Sequence, residues 1–290
     1  MKEHHGVDIS QSAVAKVTLK HAERATKLLD NQPVRDVADE KTAQLILEMD
    51  GGMVPLVQTD GPGDRRKNRQ VSWSELKVGV IQRLGEEAWK YACSFKSAND
   101  LGDRMITLLE REFNWLGNSQ LHAVGDGALW ITEQLERIAG TKVKYLVDMY
   151  HLCEYLAEAA TAWTIDVKKE THRLKERFKN GQVTKVKQKL RKYAKEYPEH
   201  EGLRQCLQYI TNRPGQFDYD KAIEKGLPIG SGKIESTHRH LIQARLKKPG
   251  AWWRRDHAAN MANLRVLRAN NGWESLWQES GVCEDDSLAA

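Results

Sequence analysis

The chain predicts an α/β fold: a mixed sheet of three antiparallel strands and then two parallel ones, flanked by helices and interrupted by an all-helical insertion. Three observations predict it. Residues 42–95 are rich in alternating, β-branched runs; residues 120–160 alternate strand and helix patterns; and residues 164–225 carry no strand signal. At 290 residues the chain can bury a substantial core. A mean hydropathy of −0.65 and 29% charged residues imply a strongly solvated surface. No apolar run approaches the ~20 residues of a membrane span, and the opening MKEHHGVDISQS lacks the apolar core of a secretory signal. Cys93, Cys153, Cys206 and Cys283 lie far apart without a CxxC pair, which argues for reduced thiols in a cytoplasmic protein and against a zinc site.

In chain order, residues 1–40 read as helix and linker. Within GVDISQSAVAKVT a glycine turn precedes Ser10, a plausible N-cap, with Val14, Val17 and His21 at helical spacing. That resembles the second half of a helix-turn-helix whose first half would precede Met1; a solvated amphipathic helix fits as well. TAQLILEM, Asp-Gly-Gly and MVPLV read as two strands around a tight turn, with Pro55 near a sheet edge. After the polar loop TDGPGDRRKNRQ, SWSELKVGVIQ and WKYACSF are further strand candidates, for three antiparallel strands in all. Residues 98–116 return to helical spacing through Leu101, Met105, Leu108, Leu109, Phe113 and Leu116. Strand QLHAVGD, helix ALWITEQLERIAG, strand KVKYLVD and helix MYHLCEYLAEAATAW imply parallel pairing with right-handed crossovers. Helices broken at Asn180-Gly181, Pro198 and Arg213-Pro214-Gly215 fill residues 164–225. The organisation expected is an N-terminal helical segment over 1–40, a first core part over 41–150, the insertion over 151–226, and C-terminal helices over 227–290.

Three acids stand out as candidate ligands. Asp50 ends an alternating strand and precedes two glycines, which leaves room for a phosphate or metal; a hairpin turn is the alternative. Asp126 follows a second strand and opens a helix, where it would equally serve as N-cap. Glu235 lies in the first turn of a helix behind a Gly-Ser-Gly turn, with Arg239 and Ile242 on roughly its stripe; there it also complements the helix dipole. Asp148 and His151 sit at a strand end and one turn into the next helix. They suit a supporting role on a metal water or phosphate, or a cap and a part-buried histidine. His238 and His240 are read as facing DNA or solvent rather than metal.

Charge is segregated. From Lys168 to Lys195 twelve Lys or Arg face two Glu, a net of +10, and from Arg239 to Arg255 six more occur without an acid. A polyanionic partner suits this better than solubility does. Candidate phosphate contacts are Lys185, Lys187, Lys189, Arg191, Lys192, Arg239, Arg245, Lys247, Lys248, Arg254 and Arg255. Trp252 and Trp253 offer stacking faces for an unpaired base, or core anchors, one of the two being assigned to the core.

The succession DGG, GDGALWI, YLVDMYHLCEYL and GLPIGSGKIESTHRHLIQARLKKPGAWW resembles bacterial insertion-sequence DDE transposases over roughly residues 40–270. The resemblance implies an RNase H-like core with a helical insertion before the catalytic Glu, and Asp50, Asp126 and Glu235 as the catalytic, metal-binding acids. It further implies two Mg²⁺ ions, with Mn²⁺ as substitute, a homo-oligomer on double-stranded transposon-end and target DNA, and a nucleoid location. Hard cations with several retained waters need only two or three carboxylates plus substrate phosphate. The competing expectations are a truncated remnant that only binds DNA, and an RNase H-like nuclease without strand transfer.

Overall fold

A computed structural model describes residues 8–31, 44–58, 69–115 and 120–278. The polar loop after Gln58, Leu116 and the glycine turn before Asp8 lie outside the described residues. Helix α1 (Gln11–Asn31) is followed by β1 (Leu45–Gln58), β2 (Gln70–Arg83), β3 (Lys90–Ser94) and α2 (Ala98–Phe113). Then come β4 (Leu121–Gly125), α3 (Leu129–Ala139), β5 (Val143–Val147) and α4 (Met149–Ala160). Four helices follow without a strand: α5 (Val167–Lys179), α6 (Val183–Glu196), α7 (Glu201–Thr211) and α8 (Tyr219–Glu224). The last described elements are α9 (Gly232–Thr237), which runs into a π-helical turn (His238–Gln243), α10 (Arg255–Ala269) and α11 (Trp273–Gln278).

The sheet order is β3-β2-β1-β4-β5, with β1, β2 and β3 antiparallel and β4 and β5 parallel to β1. This is the RNase H-like arrangement, with an all-helical insertion between β5 and α9. The breaks at Asn180-Gly181, Pro198 and Arg213-Pro214-Gly215 separate the insertion's helices as expected.

One local expectation is corrected. Asp-Gly-Gly is not a turn: β1 runs unbroken through it, with Asp50, Gly51 and Gly52 opposite Val78, Lys77 and Leu76 of β2. The strand continues because bulky side chains from elsewhere occupy the space that the missing Cβ atoms leave. Pro55 is tolerated because β4 pairs with β1 only over Leu45–Glu48, so the far half of β1 has a largely free edge.

Pleating splits the core in two. Leu45, Leu47 and Met49 pack with Leu101, Met105 and Leu109 of α2 and Ile131 and Leu135 of α3. On the opposite face Val54, Leu76, Val78 and Val80 pack with Ile234, Ile242, Met261 and Ala262. Helix α1 joins that second core through Ala22, Ala25 and Leu28, and Ser10 caps it by accepting from the Ala13 N–H at 3.2 Å. Val14 and Val17 are exposed, so the apolar spacing read at its start is not the buried face. Asn270, at the end of α10, pairs with both backbone groups of Tyr91 at 2.8 and 2.9 Å and occupies part of the β3 edge.

The insertion has its own core of Leu174, Phe178, Val186, Leu190, Leu203 and Ile210, packed on Val147, Leu152 and Leu156. The Tyr219 hydroxyl donates to the Val147 carbonyl at 2.9 Å, and the Val147 N–H donates to the Gln216 carbonyl at 3.0 Å. Phe178, fully buried between the Phe217 and Tyr219 rings, should cost about 3–5 kcal/mol on replacement by Ala. Tyr219→Phe, which orphans one carbonyl, should cost about 1–3 kcal/mol. Urea unfolding of the two variants measures both; equal losses would contradict this assignment of the insertion core.

Candidate active site

Alternation along β1 places Glu48, Asp50 and Gly52 on the sheet face covered by α9. Glu48 is 2% exposed, and its Oε2 accepts the Ile234 N–H at 2.7 Å. Burial pushes Glu48 up to about 7; the N–H groups of Ile234 and Lys233 pull the other way, while the Asp148 charge adds to the rise. One turn along α9, His238 Nε2 lies 3.3 Å from Asp50 Oδ2. That is ion-pair distance but off a hydrogen-bond axis, so this buried nitrogen has no hydrogen-bond partner among the described residues. The expectation that His238 faces DNA or solvent is therefore corrected: it is buried against Asp50, whereas His240 is exposed.

The two glycines have different neighbours on the two faces of the sheet. A Cβ on Gly52 would stand 2.7 Å from His238 Nδ1, and one on Gly51 would overlap the Glu75 carboxylate, which pairs with Lys77. Asp50 Oδ1 accepts the N–H of Gly51 at 2.7 Å, and the rest of the carboxylate stays half-exposed beside the ring.

Asp126 follows β4 directly. The Met49 carbonyl would lie 3.3 Å from a Cβ on Gly125, so β4 still borders β1 at the residues just before Asp50 and Asp126. Asp126 Oδ1 accepts the Ala128 N–H at 2.8 Å, which leaves its second oxygen open. Its backbone is clamped from three directions. Tyr209 donates its hydroxyl to the Asp126 carbonyl at 2.6 Å. Arg213 donates Nε and Nη2 to the Gly127 carbonyl at 3.0 and 2.7 Å, and Tyr145 Oη accepts the Gly127 N–H at 2.9 Å. Gly127 has φ +85°, a conformation that favours glycine.

Asp148 caps α4 through the N–H groups of Tyr150 and His151, and its other oxygen accepts the Ser231 hydroxyl at 2.6 Å and the Ser231 N–H. It is a buried fastener between β5 and the start of α9. His151 pairs with Glu154 at 3.1 Å on the exposed side of α4. His122 of β4 holds the same α9 approach, its Nε2 2.7 Å from the Pro228 carbonyl.

The Glu235 side chain is exposed, with no hydrogen bond or ion pair among the described residues, three residues before His238. Among the described residues no group of three or more His, Cys, Asp or Glu is arranged to hold a metal ion. Carboxylates are the donors a hard divalent cation takes, and here one lies within β1, one directly after β4 and one on the helix fastened to β1. The register of β1 with β4, Glu48 opposite Val124, puts Asp50 and Asp126 on neighbouring strands, and Glu235 is exposed on the helix fastened to β1. Ile242, read as sharing its stripe, is buried instead.

The basic residues divide. Lys189 is drawn onto Glu170 and over the Trp163 and Tyr193 rings, a packing role. Arg245 lies over Trp253, and Arg255 bonds Ser74 and the Phe95 carbonyl. Lys192 and Arg254 pair with Glu196 and Asp256 at 3.7 and 3.5 Å. Lys185, Lys187, Arg191, Arg239, Lys247 and Lys248 have no ion pair among the described residues. Trp253 packs on the core beside Leu56, and Trp252 is 45% exposed with Arg69 over its ring at 4.3 Å. Residues that sequence reasoning missed are Glu48, Tyr145, Tyr209, Arg213 and Ser231. Only Glu48 carried a signal, an acid two residues before Asp50 on the same strand face.

The mixed five-stranded sheet flanked by helices defines an α/β protein of RNase H-like fold. The profile described as "Uncharacterised protein family (UPF0236)" matches residues 6–280, and the chain belongs to that family. Two UPF0236 proteins of Caldanaerobacter subterraneus subsp. tengcongensis are similar to it. One is 27% identical over 240 residues, covering 82% of this chain and 49% of the relative; its name joins eleven locus designations. The other is 31% identical over 153 residues, covering 53% of this chain and 32% of the relative. The chain thus spans about half the length of the first and a third of the second. Among solved structures, the Drosophila P element transposase strand transfer complex aligns over 97% of this chain and 83% of its own, at 11% identity. Its TM-score of 0.28 is too low to mark a common fold. No helix of the described residues is long and apolar enough to cross a membrane.

Gly52→Ala should displace the His238 ring from Asp50 and cost about 1–3 kcal/mol. Gly232→Ala, where a Cβ would meet nothing within 4 Å, should be neutral or stabilising. Urea denaturation with the His238 imidazole NMR signals tests the pair; an unmoved ring in Gly52→Ala contradicts the packing. Burial holds His122 below its usual 6.5, opposed by its bond to Pro228. The folded state then binds this proton less readily than the unfolded state. Its contribution to stability is present above 6.5 and is lost as pH falls through the lower folded value. Urea midpoints should decline on acidification below 6.5 and decline less in His122→Gln. Parallel pH profiles would overturn this.

Proposed function

We propose that the chain is the catalytic core of a Mg²⁺-dependent DNA transposase that cleaves at the ends of its own element and joins them to target DNA. The observation that supports this reading is the attachment of the Glu235 helix to β1: Glu48 bonds Ile234 and His238 lies beside Asp50, while the register of β1 with β4 puts Asp126 on the neighbouring strand. The joined locus designations of one relative add support, because many loci for one sequence in one genome are what a self-copying element leaves.

In this reading Asp50 and Asp126 would hold the cation pair and Glu235 would complete the charge. Bound there, Mg²⁺ neutralises phosphate charge and makes an attacking water nucleophilic near neutral pH. Water attacks the scissile phosphorus and the bond to the 3′ oxygen breaks, that oxygen leaving protonated as a 3′-hydroxyl; the 3′-hydroxyl then attacks a target phosphorus, giving its proton to solvent, as the target's own phosphorus–3′ oxygen bond breaks and frees a target 3′-hydroxyl. Arg239, one turn beyond Glu235, and Lys247 and Lys248 beyond it are the phosphate contacts nearest these acids in sequence. Lys185, Lys187 and Arg191 form a second tract on the insertion. Trp252 is the stacking face, and Asp148 and His151 act by positioning.

Asp50→Ala, Asp126→Ala and Glu235→Ala should each lower Mg²⁺-dependent nicking of DNA carrying the gene's flanking sequence by roughly 10³-fold. DNA affinity should stay within about twofold, since phosphate contacts dominate it. Normal cutting by any of the three sinks the triad. Resolving joined from merely cut products separates transposase from a nuclease without strand transfer.

A further inference from the structure

On the other flank of α9 lies a groove of about 490 Å³, bounded by α9, the π-helical turn and α10. Lys233, Ser236 and His240 line one wall, Arg265 and Arg268 the other, and Asn271 closes an end; no Asp or Glu lines it. None of the four basic side chains has an ion pair among the described residues. Lys233 Nζ rests 5.4 and 5.5 Å from the centroids of the Trp89 and Tyr91 rings, which leaves its donors free. Arg265 spends Nε and Nη2 on the carbonyls of Leu241 and His240, and burial, with Arg245 and Arg268 adding, lowers its pKa. Arg268 projects over Trp273 at 5.7 Å. Arg265 and Arg268 are also three residues apart on one helix, where like charges destabilise it.

Like charges gathered in a concavity oppose folding, offset at Lys233 in part by the buried Glu48 carboxyl, and an oxyanion relieves them. We infer that this groove is a phosphate-binding site, distinct from the candidate acid site. Arg265, held by two carbonyls, forms a cationic floor, Lys233 and Arg268 supply charged donors from the two walls, and Ser236 and Asn271 offer neutral hydrogen bonds. Its volume is within the range of small-ligand pockets, about 300–1,000 Å³. A nucleotide and a run of nucleic-acid backbone present the same phosphoryl oxygens. The inference does not rest on the catalytic reading, because Glu235 and Asp50 do not line the groove.

The test compares the wild-type chain with the Lys233→Gln/Arg268→Gln double variant by thermal unfolding under increasing inorganic pyrophosphate, with chloride at matched ionic strength. The wild type should show a saturable rise in Tm that chloride does not reproduce. The double variant should need at least about tenfold more pyrophosphate for the same rise, the loss expected when charged donors are removed. Without pyrophosphate it should be no less stable than the wild type, since repulsion has been relieved. An equal rise in both proteins, or no rise in the wild type, overturns the site. Two further arms distinguish the source. If the ligand is nucleic-acid backbone, the slope of log affinity for duplex DNA against log salt falls by about 2 in the double variant. If it is a free nucleotide, ATP reproduces the Tm rise while the DNA slope stays unchanged.

Discussion

One hydrogen bond sets the geometry of the candidate site: the buried carboxylate of Glu48 accepting the Ile234 N–H, across 186 residues of sequence. Each group needs the other. A buried carboxyl is costly without a donor, and an N–H in the first turn of a helix has no partner within its helix. Once that bond exists, the next contact follows from arithmetic. Two residues along a strand advance about 6.7 Å, and four along a helix advance about 6 Å. Going from Glu48 to Asp50 on β1 therefore matches going from Ile234 to His238 along α9, and His238 arrives beside Asp50. The helix runs alongside the strand, and Gly52 leaves room for the ring at the next step.

The insertion is tied to the same edge. Its polypeptide departs and returns at adjacent points: the Met149 N–H meets the Ile229 carbonyl at 3.0 Å, and Asp148 holds Ser231. Helices of any number can be housed between two points so close without disturbing the sheet. Their presence is felt at the candidate site nonetheless, because Tyr209 and Arg213 of the insertion bond the Asp126–Gly127 backbone. A shift of the α7 end would move the second acid. The basic faces of α5 and α6 are thus joined through one packed core to the peptide that positions Asp126.

Much of this was legible in the chain. Strand and helix periods gave the sheet and the insertion, and the Pro and Gly breaks separated its helices, because local propensity and tertiary packing agree there. Asp-Gly-Gly misled because its local preference for a turn is overridden by distant partners: Glu75 over Gly51 and His238 over Gly52. Glu48 was overlooked because nothing local marks an acid as buried; its donor lies at the far end of the chain. His238 was misplaced for the same reason. The assignment of one tryptophan of the pair to the core is met by Trp253, while Trp252 stays outside.

The segment from Ile234 to Leu246 shows how a sequence period becomes geometry. Ile234, His238, Ile242 and Leu246 are all buried and recur every fourth residue. In an α-helix each such step drifts about 40° round the axis, so three steps would carry Leu246 about 120° away from the face that Ile234 presents. The wider π-helical turn from His238 to Gln243 takes up that drift. The buried stripe stays on the sheet and on α10. The neighbouring stripe of Glu235, Arg239 and Gln243, also every fourth residue, stays in line and exposed. The apolar period of four therefore places an acid and a base in succession along the flank of the helix whose His238 touches Asp50. A regular α-helix of the same sequence would have wound Arg239 and Gln243 progressively away from Glu235.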